Sequence, residues 1–385
     1  MTDVPAADAS PITAPILEDT TLRDGEQAPG VAFSPETKLA IFDLLVRTGV
    51  RWIEPGIPAM GGDEVEALKA MLGRGGAVTL VAWNRGVQAD VAFSLDLGFS
   101  AVHLGLPTSQ VHLQNSVGRD RAWLLQQAKD LVAYAKDRGA FVSISAEDVG
   151  RTEISFLQEY AGAVHQAGAD RLRLSDTIGI LTPERYAERV AAVLRAARID
   201  VQCHTHNDYG LAVANTLAGL RAGARYFHVT VNAIGERAGM PDFAQTVMVL
   251  KNLYQVDLGI DTTRLYELSR LVARATGQPP APWQPIVGDN VFAHESGIHA
   301  NAMLRNTETF EPFGPEAVGG RRRYVIGKHS GRAVCRAVLL EKGVDVAGAD
   351  LASCLELVRA TAIRQGGAVS PEQLVDLYWQ SKQTV

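Results

Sequence analysis

The feature that most constrains the fold is an alternation of short β-rich runs with longer amphipathic helical stretches, extending from Ile16 to about Leu253. A glycine that follows a helical stretch and precedes the next β-rich run suits a left-handed C-cap, which turns the chain back. Such glycines are Gly49, Gly98, Gly139, Gly168 and Gly223. Strand–helix alternation with such short links is typical of a parallel sheet.

Eight candidate strands over roughly 240 residues predict a (β/α)8 TIM barrel. The strands are 16–20, 52–55, 78–83, 101–106, 141–146, 171–175, 201–204 and 226–231. Helical patterns between and after them cover 35–48, 121–138, 154–167, 183–197, 211–222 and 243–253. A doubly wound open sheet is the structural alternative, but it would place a site at one crevice and would not collect residues from the first and seventh strands.

Polar side chains stand at the C-terminal ends of the predicted strands, the face on which barrel proteins build their sites. Asp24 follows the first strand, Thr177 the sixth and Glu236 the eighth, while His204 ends the seventh. We therefore expect these residues to meet at one mouth of the barrel.

A carboxylate and two imidazoles among these residues predict a divalent metal site. His204 and His206, in HTHND, stand at i and i+2, so a strand would point both rings to the same face. With Asp24 they form a ligand set that leaves positions open for substrate. Oxygen and imidazole ligands admit Mg²⁺, Mn²⁺, Zn²⁺ or Fe²⁺. A pair of ordinary strand histidines, one hydrogen-bonded and one exposed, is the alternative interpretation.

Arg23 precedes the candidate ligand Asp24 in DTTLRDGEQ, residues 19–27. A fixed guanidinium at that point could stabilise negative charge that develops on a carbonyl oxygen, and Gln27 could hold Arg23 in place or bind substrate. An ion pair with Asp24 or Glu26 is the simpler alternative, and such pairs are common.

Composition excludes several classes of function. The net charge of −6 argues against a sequence-independent grip on nucleic acid. Three cysteines without a CxxC pair favour a reducing cytoplasm over a disulfide framework. No apolar run is long enough to span a membrane, and residues 1–14, rich in Pro, Ala, Asp and Ser, predict a disordered leader and not a signal peptide.

The strand–helix alternation of the sequence ends after the predicted barrel, which we place at 15–256. Residues 257–285 combine a helix with the proline-rich stretch GQPPAPWQP, which predicts an extended linker. Residues 286–332, which contain HESGIHA, and the helical residues 333–385 are expected to form two small C-terminal subdomains. Candidate helices in the tail are 332–342, 351–364 and 371–381.

Four motifs in order, DTTLRDGEQ, HTHND, VNAIGERAG and HESGIHA, resemble the Claisen-condensing acyltransferases of the DRE-TIM metallolyase superfamily. That group includes isopropylmalate, citramalate and homocitrate synthases. The resemblance runs from about Ile16 to about Arg332 and is strongest to homocitrate synthases of the nitrogen-fixation type. It implies a TIM barrel followed by two small subdomains that reach over the barrel of a partner subunit. The chain ends at Val385, so the large regulatory domain of leucine-pathway isopropylmalate synthases is not expected.

The resemblance also implies catalytic and substrate-binding roles for residues whose types alone would not indicate such roles. Candidate catalytic residues are Arg23, Glu147 and His299; candidate substrate contacts are Gln27, His103, Ser143, Thr177 and Glu236. His299 would remove a proton from the acetyl methyl group in the partner's site, a task that suits imidazole. Each candidate has a plainer interpretation: a solvated loop carboxylate for Glu147, a buried core residue for His103, a cap or turn residue for Thr177 and a packing residue for His299.

Two positions depart from the patterns of these families. Lysine-pathway homocitrate synthases carry an arginine where this chain has Ser143, and Met240 follows GERAG where an asparagine is usual. The group that would hold the distal carboxylate of an oxo acid is therefore left open. The basic run of residues 321–324, with Lys328 and His329, could face coenzyme A phosphates or could be a solvated surface.

The function that the resemblance implies is a metal-dependent condensation of acetyl-CoA with a 2-oxo acid, 2-oxoglutarate, in a cytoplasmic homodimer. The product would be homocitrate, made for the nitrogenase iron–molybdenum cofactor, with release of coenzyme A. A 2-isopropylmalate or citramalate synthase is the alternative within this group of enzymes. From a different class, the chain could be a catalytically silent barrel that acts as an assembly module.

Overall fold

The structure, a computed structural model, describes residues 12–74, 76–346 and 348–383. The chain forms two compact units, Met1–Pro279 and Pro280–Val385, so the division falls inside the proline-rich stretch. The predicted leader at 1–14 lies outside the described residues except for its last three positions.

The first unit is a closed barrel of parallel strands in sequence order, in which β1 also pairs with β8. The strands among the described residues are β1 Ile16–Asp19, β2 Trp52–Ile53, β3 Thr79–Arg85, β4 Ala101–Gly105, β5 Phe141–Glu147, β6 Arg171–Asp176, β7 Asp200–Thr205 and β8 Tyr226–Val229. The prediction of a TIM barrel is confirmed, and the doubly wound alternative is wrong because that sheet would have open edges.

Helices follow the strands and cover the barrel. They are α1 Pro35–Thr48, α2 Gly62–Gly73, α3 Gln88–Asp96, α4 Arg121–Asp137, α5 Ile154–Gln166, α6 Pro183–Ala196, α7 Ala212–Arg221 and α8 Phe243–Leu253. Their ends obey local rules: the Ser34 hydroxyl caps α1 by accepting from the Thr37 amide, and Pro35 occupies the first turn. Gly49 then ends α1 at φ 108°, a conformation that costs glycine little.

The helix expected within residues 257–285 is α9 Leu265–Thr276, and it belongs to the barrel unit although the predicted barrel ends at 256. The Asn232 Nδ2 group, in the loop after β8, donates to the Ser269 carbonyl at 2.9 Å. The Ser269 hydroxyl donates back to Asn232 Oδ1 at 2.6 Å. This reciprocal pair attaches α9 to the loop that carries Glu236.

The interior of the barrel contains charged side chains at positions where barrels usually place branched apolar ones. Arg171 is fully buried, pairs with Glu18 at 2.5 Å and lies over the rings of Trp52, Phe141 and Tyr226 at the strand starts. Although burial opposes it, the Arg171 guanidinium lowers the pKa of Glu18 to about 2. Because each charge has an opposite partner, the interior tolerates charges that would be very costly alone.

The second unit is small and mostly helical. Strands β9 Ala293–His294 and β10 Arg323–Tyr324 pair in parallel, and the helices are α10 Gly297–Met303, α11 Arg332–Glu341, α12 Ala352–Gln365 and α13 Pro371–Gln383. Its core joins side chains of the last three helices, including Val334, Leu339, Val358 and Leu374. The predicted helical character of the tail is confirmed.

Helices long and apolar enough to cross a membrane are absent from the part of the chain that the structure describes.

Candidate active site

The predicted ligand set comes together at the C-terminal end of the barrel. Asp24 follows β1, His204 is in β7, and His206 lies directly beyond the end of β7. One potential ligand atom from each residue lies within 4.8 Å of the others, and His204 Nε2 is 3.6 Å from Asp24 Oδ2. All three side chains are buried.

The donor atoms of this cluster fit a divalent cation. Asp24 Oδ1 and His206 Nδ1 are buried and have no hydrogen-bond partner among the described residues. Unpaired buried polar atoms are costly, and a cation between them would satisfy both. Burial lowers the pKa of His204 well below its usual value and also lowers that of His206, so both rings keep a lone pair for coordination.

Space beside the cluster depends on Gly235, in the loop after β8. A Cβ at this position would lie 3.0 Å from Asp24 Oδ1 and 3.2 Å from Met240 Cγ, and φ is 155°. Glycine therefore leaves room next to the carboxylate. Met240 is fully buried, so an apolar side chain lies at the position where the resemblance led us to expect an asparagine.

A second carboxylate and histidine group lies deeper in the barrel and consists of Glu18, Glu54 and His228. Arg171 and Arg173 form ion pairs with its two carboxylates. Because these guanidiniums already neutralise the negative charge, this group is not a second cation site.

Arg23 is held at the mouth by three acceptors. Its Nε lies 2.5 Å from Glu54 Oε1, and its Nη1 lies 2.8 Å from Asp24 Oδ2 and 3.2 Å from Gln27 Oε1. Within the described part of the chain, Nη2 has no hydrogen-bond partner. The ion pair with Asp24 is therefore present, and the guanidinium still has one nitrogen with which to bind a substrate oxygen.

Sequence reasoning missed Glu54, which fixes Arg23 from below. Its Oε1 also accepts from the Thr20 hydroxyl at 3.0 Å, and its Oε2 accepts from Arg173 Nη2. The available signal was a charged residue at the end of the short strand β2, in WIEPG. Only the fold shows that Glu54 faces Arg23, because the pairing of β2 with β1 brings the ends of these two strands together.

Glu147, the last residue of β5, lies close enough to Arg23 for their charges to interact. Burial raises the pKa of the Glu147 carboxyl above its usual value, although Arg23 opposes that change. A carboxyl with a raised pKa can hold a proton nearer neutral pH, which general acid or base catalysis requires. The geometry is thus compatible with the acid–base role expected of Glu147.

His103 and Ser143 face each other on β4 and β5 inside the barrel. His103 Nδ1 is 2.9 Å from Ser143 Oγ, which also accepts from Arg171 Nε at 3.0 Å. Both residues are buried. The Ser143 hydroxyl is therefore engaged within the protein, and contacts of His103 and Ser143 with substrate stay predictions.

Thr177 and Glu236 belong to loops that Arg237 holds together. The Arg237 guanidinium makes two bonds to Asp208, at 2.9 and 3.0 Å, and donates to the Thr177 carbonyl at 2.6 Å. The Thr177 hydroxyl accepts from the Asp148 amide at 2.8 Å, as a turn residue would.

The charge of Glu236 influences the pKa of both His206 and Glu147, which places Glu236 at the same mouth of the barrel. Contacts of Thr177 and Glu236 with substrate stay predictions.

Cys203 faces away from the ligand cluster, as the alternation along β7 predicts. A Cβ on Gly219 in α7 would lie 2.4 Å from its sulfur, and burial raises the pKa of the thiol to about 12. It is not a ligand in this arrangement.

His299 lies on α10 of the second unit, exposed, with its ring 4.0 Å from that of Phe310. Arg322, from the basic run, is bonded to Glu311, and Arg323 donates to the Asp289 carbonyl at 2.7 Å. The catalytic role of His299 stays a prediction.

A closed parallel barrel with a carboxylate and two histidines at its C-terminal mouth defines a TIM-barrel protein with a site of the divalent-metal type. Residues 14–272 match the HMGL-like family, and residues 286–366 match a domain described as homocitrate synthase post-HMGL domain-like. This chain belongs to the HMGL-like family.

Curated relatives extend over nearly the whole chain. A 2-phosphonomethylmalate synthase of Streptomyces rubellomurinus is 68% identical over 94% of this chain and 97% of its own length. A 2-isopropylmalate synthase of Caldanaerobacter subterraneus is 45% identical over 94% of each chain, and homocitrate synthase 1 of a Nostoc species is 43% identical over 94% and 96%. The particular likeness to homocitrate synthases of the nitrogen-fixation type is thus not confirmed.

Among solved structures, a hydroxymethylglutaryl-CoA lyase from Pseudomonas aeruginosa has a TM-score of 0.63 at 21% identity and covers 69% of this chain and 94% of its own. An HMG-CoA lyase from Brucella melitensis has a TM-score of 0.62 at 19% identity and covers 69% and 100%. At these identities the likeness supports the barrel fold.

Proposed function

We propose that this protein is an acyltransferase that condenses acetyl-CoA with 3-phosphonopyruvate to give 2-phosphonomethylmalate and coenzyme A. The observation that carries the proposal is the 68% identity to a 2-phosphonomethylmalate synthase over 94% of this chain. The other named relatives are synthases of related 2-substituted malates or homocitrate, which favours the same type of condensation.

The oxo acid follows from the structure of the product. 2-Phosphonomethylmalate is malate with a phosphonomethyl group on its hydroxyl-bearing carbon. Disconnection of the carbon–carbon bond to the unsubstituted CH₂–carboxylate arm leaves an acetyl unit and 3-phosphonopyruvate. Both this acid and 2-oxoglutarate have a 2-oxo carboxylate and a second anionic group.

Asp24, His204 and His206 would hold the divalent cation, which supplies Lewis-acid polarisation of the ketone of the oxo acid when bound. Arg23 would donate from Nη2 to the ketone oxygen as negative charge grows on it, while Glu54 and Gln27 keep the guanidinium oriented.

The acetyl methyl group loses a proton to a base, His299 of a partner subunit or Glu147. The methyl carbon then forms a bond to the ketone carbon, and the ketone oxygen takes up a proton to become the hydroxyl group. Water hydrolyses the thioester and releases coenzyme A as a thiol. Arg23 and the base would therefore act on different groups, Arg23 on the ketone oxygen and the base on the acetyl methyl group.

2-Oxoglutarate is the second candidate substrate, and homocitrate would then be the product. Homocitrate synthases of Nostoc and Frankia alni, at 43% and 45% identity, favour it. Ser143 does not separate the two acids, since this uncharged residue is bonded to His103 and Arg171 and provides no cation for a distal carboxylate or for a phosphonate.

The decisive experiment measures coenzyme A release from acetyl-CoA with 3-phosphonopyruvate, 2-oxoglutarate, 2-oxoisovalerate and pyruvate. We expect the highest kcat/KM with 3-phosphonopyruvate, at least about tenfold above the others, equivalent to about 1.4 kcal/mol of transition-state binding. A preference for 2-oxoglutarate would assign homocitrate synthesis. A preference for 2-oxoisovalerate or pyruvate would assign isopropylmalate or citramalate synthesis, and no release with any acid would indicate a silent barrel.

A further inference from the structure

Behind His204, on the side away from Asp24, a chain of hydrogen bonds leads into the barrel. His204 Nδ1 lies 2.8 Å from His228 Nδ1, and His228 Nε2 lies 3.0 Å from Glu18 Oε1. The other oxygen of Glu18 accepts from Arg171 Nη1 at 2.5 Å. Glu18 and His228 are fully buried and His204 is 5% exposed, so solvent does not compete for these bonds.

The chain has a direction because its inner end can only accept. The Glu18 carboxylate is an ionised acceptor in an ion pair with Arg171, so the nearest nitrogen of His228, Nε2, must carry the hydrogen. In a neutral His228 ring the Nδ1 atom is then an acceptor. It can bond to His204 Nδ1 only if that nitrogen is protonated, which leaves the lone pair of His204 on Nε2, the atom 3.6 Å from Asp24 Oδ2.

One contact opposes this direction and is weaker. Arg173 Nη2, which is only a donor, lies 3.4 Å from His228 Nε2. Arg173 Nη2, however, has a closer acceptor in Glu54 Oε2. A lone pair on His228 Nε2 would face the Glu18 oxygen at 3.0 Å, where two acceptors repel each other.

We infer that Glu18 and His228 are positioning residues that set the tautomer of His204, holding its proton on Nδ1 and its Nε2 lone pair toward Asp24. Neither residue is hydrogen-bonded to Asp24 or His206, so both act through His204. The inference rests on the metal site of the proposed function. Partners of this kind typically contribute 10- to 100-fold to metal affinity.

Glu18→Gln tests the direction of the chain with an almost unchanged shape. Because Arg171 can only donate, the glutamine would direct its amide oxygen toward Arg171. The NH₂ group of the glutamine would then face His228 Nε2. His228 would then donate from Nδ1 to His204 Nδ1 and drive the His204 proton onto Nε2. We expect Mn²⁺ affinity, measured on the metal-free protein by titration, to fall about 10- to 100-fold.

Asp19→Asn is the matched control, because it makes the same carboxyl-to-amide change on the adjacent residue of β1. Both Asp19 oxygens bond to Thr21, through its amide and its hydroxyl, and neither joins the chain to His204. We expect its Mn²⁺ affinity to match the wild type. If Glu18→Gln does not fold, His228→Leu and His228→Asn replace it. Only asparagine places an acceptor near the original Nδ1, so His228→Asn should keep most of the affinity that His228→Leu loses.

A second measurement does not depend on metal. ¹⁵N NMR of histidine-labelled, metal-free protein should show His204 protonated on Nδ1 in the wild type and on Nε2 in Glu18→Gln. A wild-type proton on Nε2, or unchanged Mn²⁺ affinity in both Glu18→Gln and His228→Leu, would overturn the inference. Wild-type protein that has the expected tautomer but binds no Mn²⁺ would refute the proposed metal site and leave the inference about the tautomer standing.

Discussion

Arg23 is the residue whose environment best explains how a cation can serve chemistry inside a barrel. Glu54 and Asp24 balance its charge, Gln27 accepts from Nη1, and the Trp83 ring lies 5.7 Å from the guanidinium carbon. These contacts fix the side chain before substrate arrives. A preorganised donor stabilises developing charge without reorganisation at the moment of reaction.

We expect Arg23→Ala to lower kcat by roughly a hundredfold or more, because the loss of an oxyanion donor has an effect of this size. Arg23→Lys should restore little, since an ammonium group lacks the planar fork that reaches Glu54, Asp24 and substrate together. Steady-state kinetics with the preferred oxo acid gives both constants. A raised KM at unchanged kcat would assign Arg23 to ground-state binding.

For individual residues, the sequence predicted the site residues at the C-terminal mouth of the barrel better than the supporting residues in the barrel interior. The metal-ligand role of His204, His206 and Asp24 could be predicted from local features, namely the spacing of the two histidines and the motif around Asp24. Glu18, Glu54 and Arg173 did not, because their roles depend on which side chains meet across the closed barrel. RLRLS shows that Arg171 and Arg173 share one face of β6, but strand alternation cannot tell which acids they meet.

Among the elements, α1 is attached to the loop that carries Arg23 by a buried lysine. Lys38 is 1% exposed, its Nζ lies 2.7 Å from Glu26 Oε2, and it also bonds to Glu64. The second oxygens of these acids accept from the amides of Phe33 and Ile57, at 2.8 and 2.9 Å. Lys38 therefore joins the loop after β1 and the first turn of α2 to the same helix, and Glu64 in turn binds the loop after β2.

Lys38→Met should lower the free energy of unfolding by about 3 kcal/mol, because it leaves two partly buried carboxylates without their cation. Chemical denaturation measures the loss. Arg74→Met is the control: Arg74 pairs with Asp43 on the surface, both side chains are more than a third exposed, and the expected loss is below about 1 kcal/mol. Equal losses in the two variants would contradict a structural role for the Lys38 bridge.

The order of the elements could be predicted from the sequence because strand, helix and C-cap signals are local. Gly49, Gly98 and Gly223 each adopt positive φ where the chain turns from a helix toward a strand. The role of α9 could not be predicted in this way. Its attachment to Asn232 is a tertiary contact between residues 37 positions apart, so the sequence could predict the helix but not that it belongs to the barrel.

At the scale of the whole molecule, the chain divides at Pro279 and Pro280, and the candidate base His299 belongs to the smaller unit. The candidate metal ligands Asp24, His204 and His206 belong to the larger unit, as does Arg23. We expect the active form to be a homodimer in which His299 acts on the partner's barrel, since the segment that carries it follows a proline-rich stretch.

Subunit mixing tests that expectation. Arg23→Ala and His299→Ala should each be inactive alone, but hybrid dimers should regain one working site, formed by the intact barrel of one subunit and the intact His299 of the other. Coenzyme A release after exchange measures the recovery, which should approach a quarter of wild-type activity in an equal mixture by random pairing. Demonstrated subunit exchange without recovered activity would show that His299 does not act in trans.

The central claim is that this barrel makes a carbon–carbon bond between the acetyl methyl carbon and the ketone carbon of 3-phosphonopyruvate. Turnover of acetyl-CoA labelled with ¹³C at the methyl carbon, followed by NMR of the products, tests it directly. The account predicts that the label appears in a methylene group beside a quaternary hydroxyl-bearing carbon of 2-phosphonomethylmalate, in amounts equal to the coenzyme A released. Label found only in free acetate would contradict the account, because it would mean that the thioester is hydrolysed without condensation.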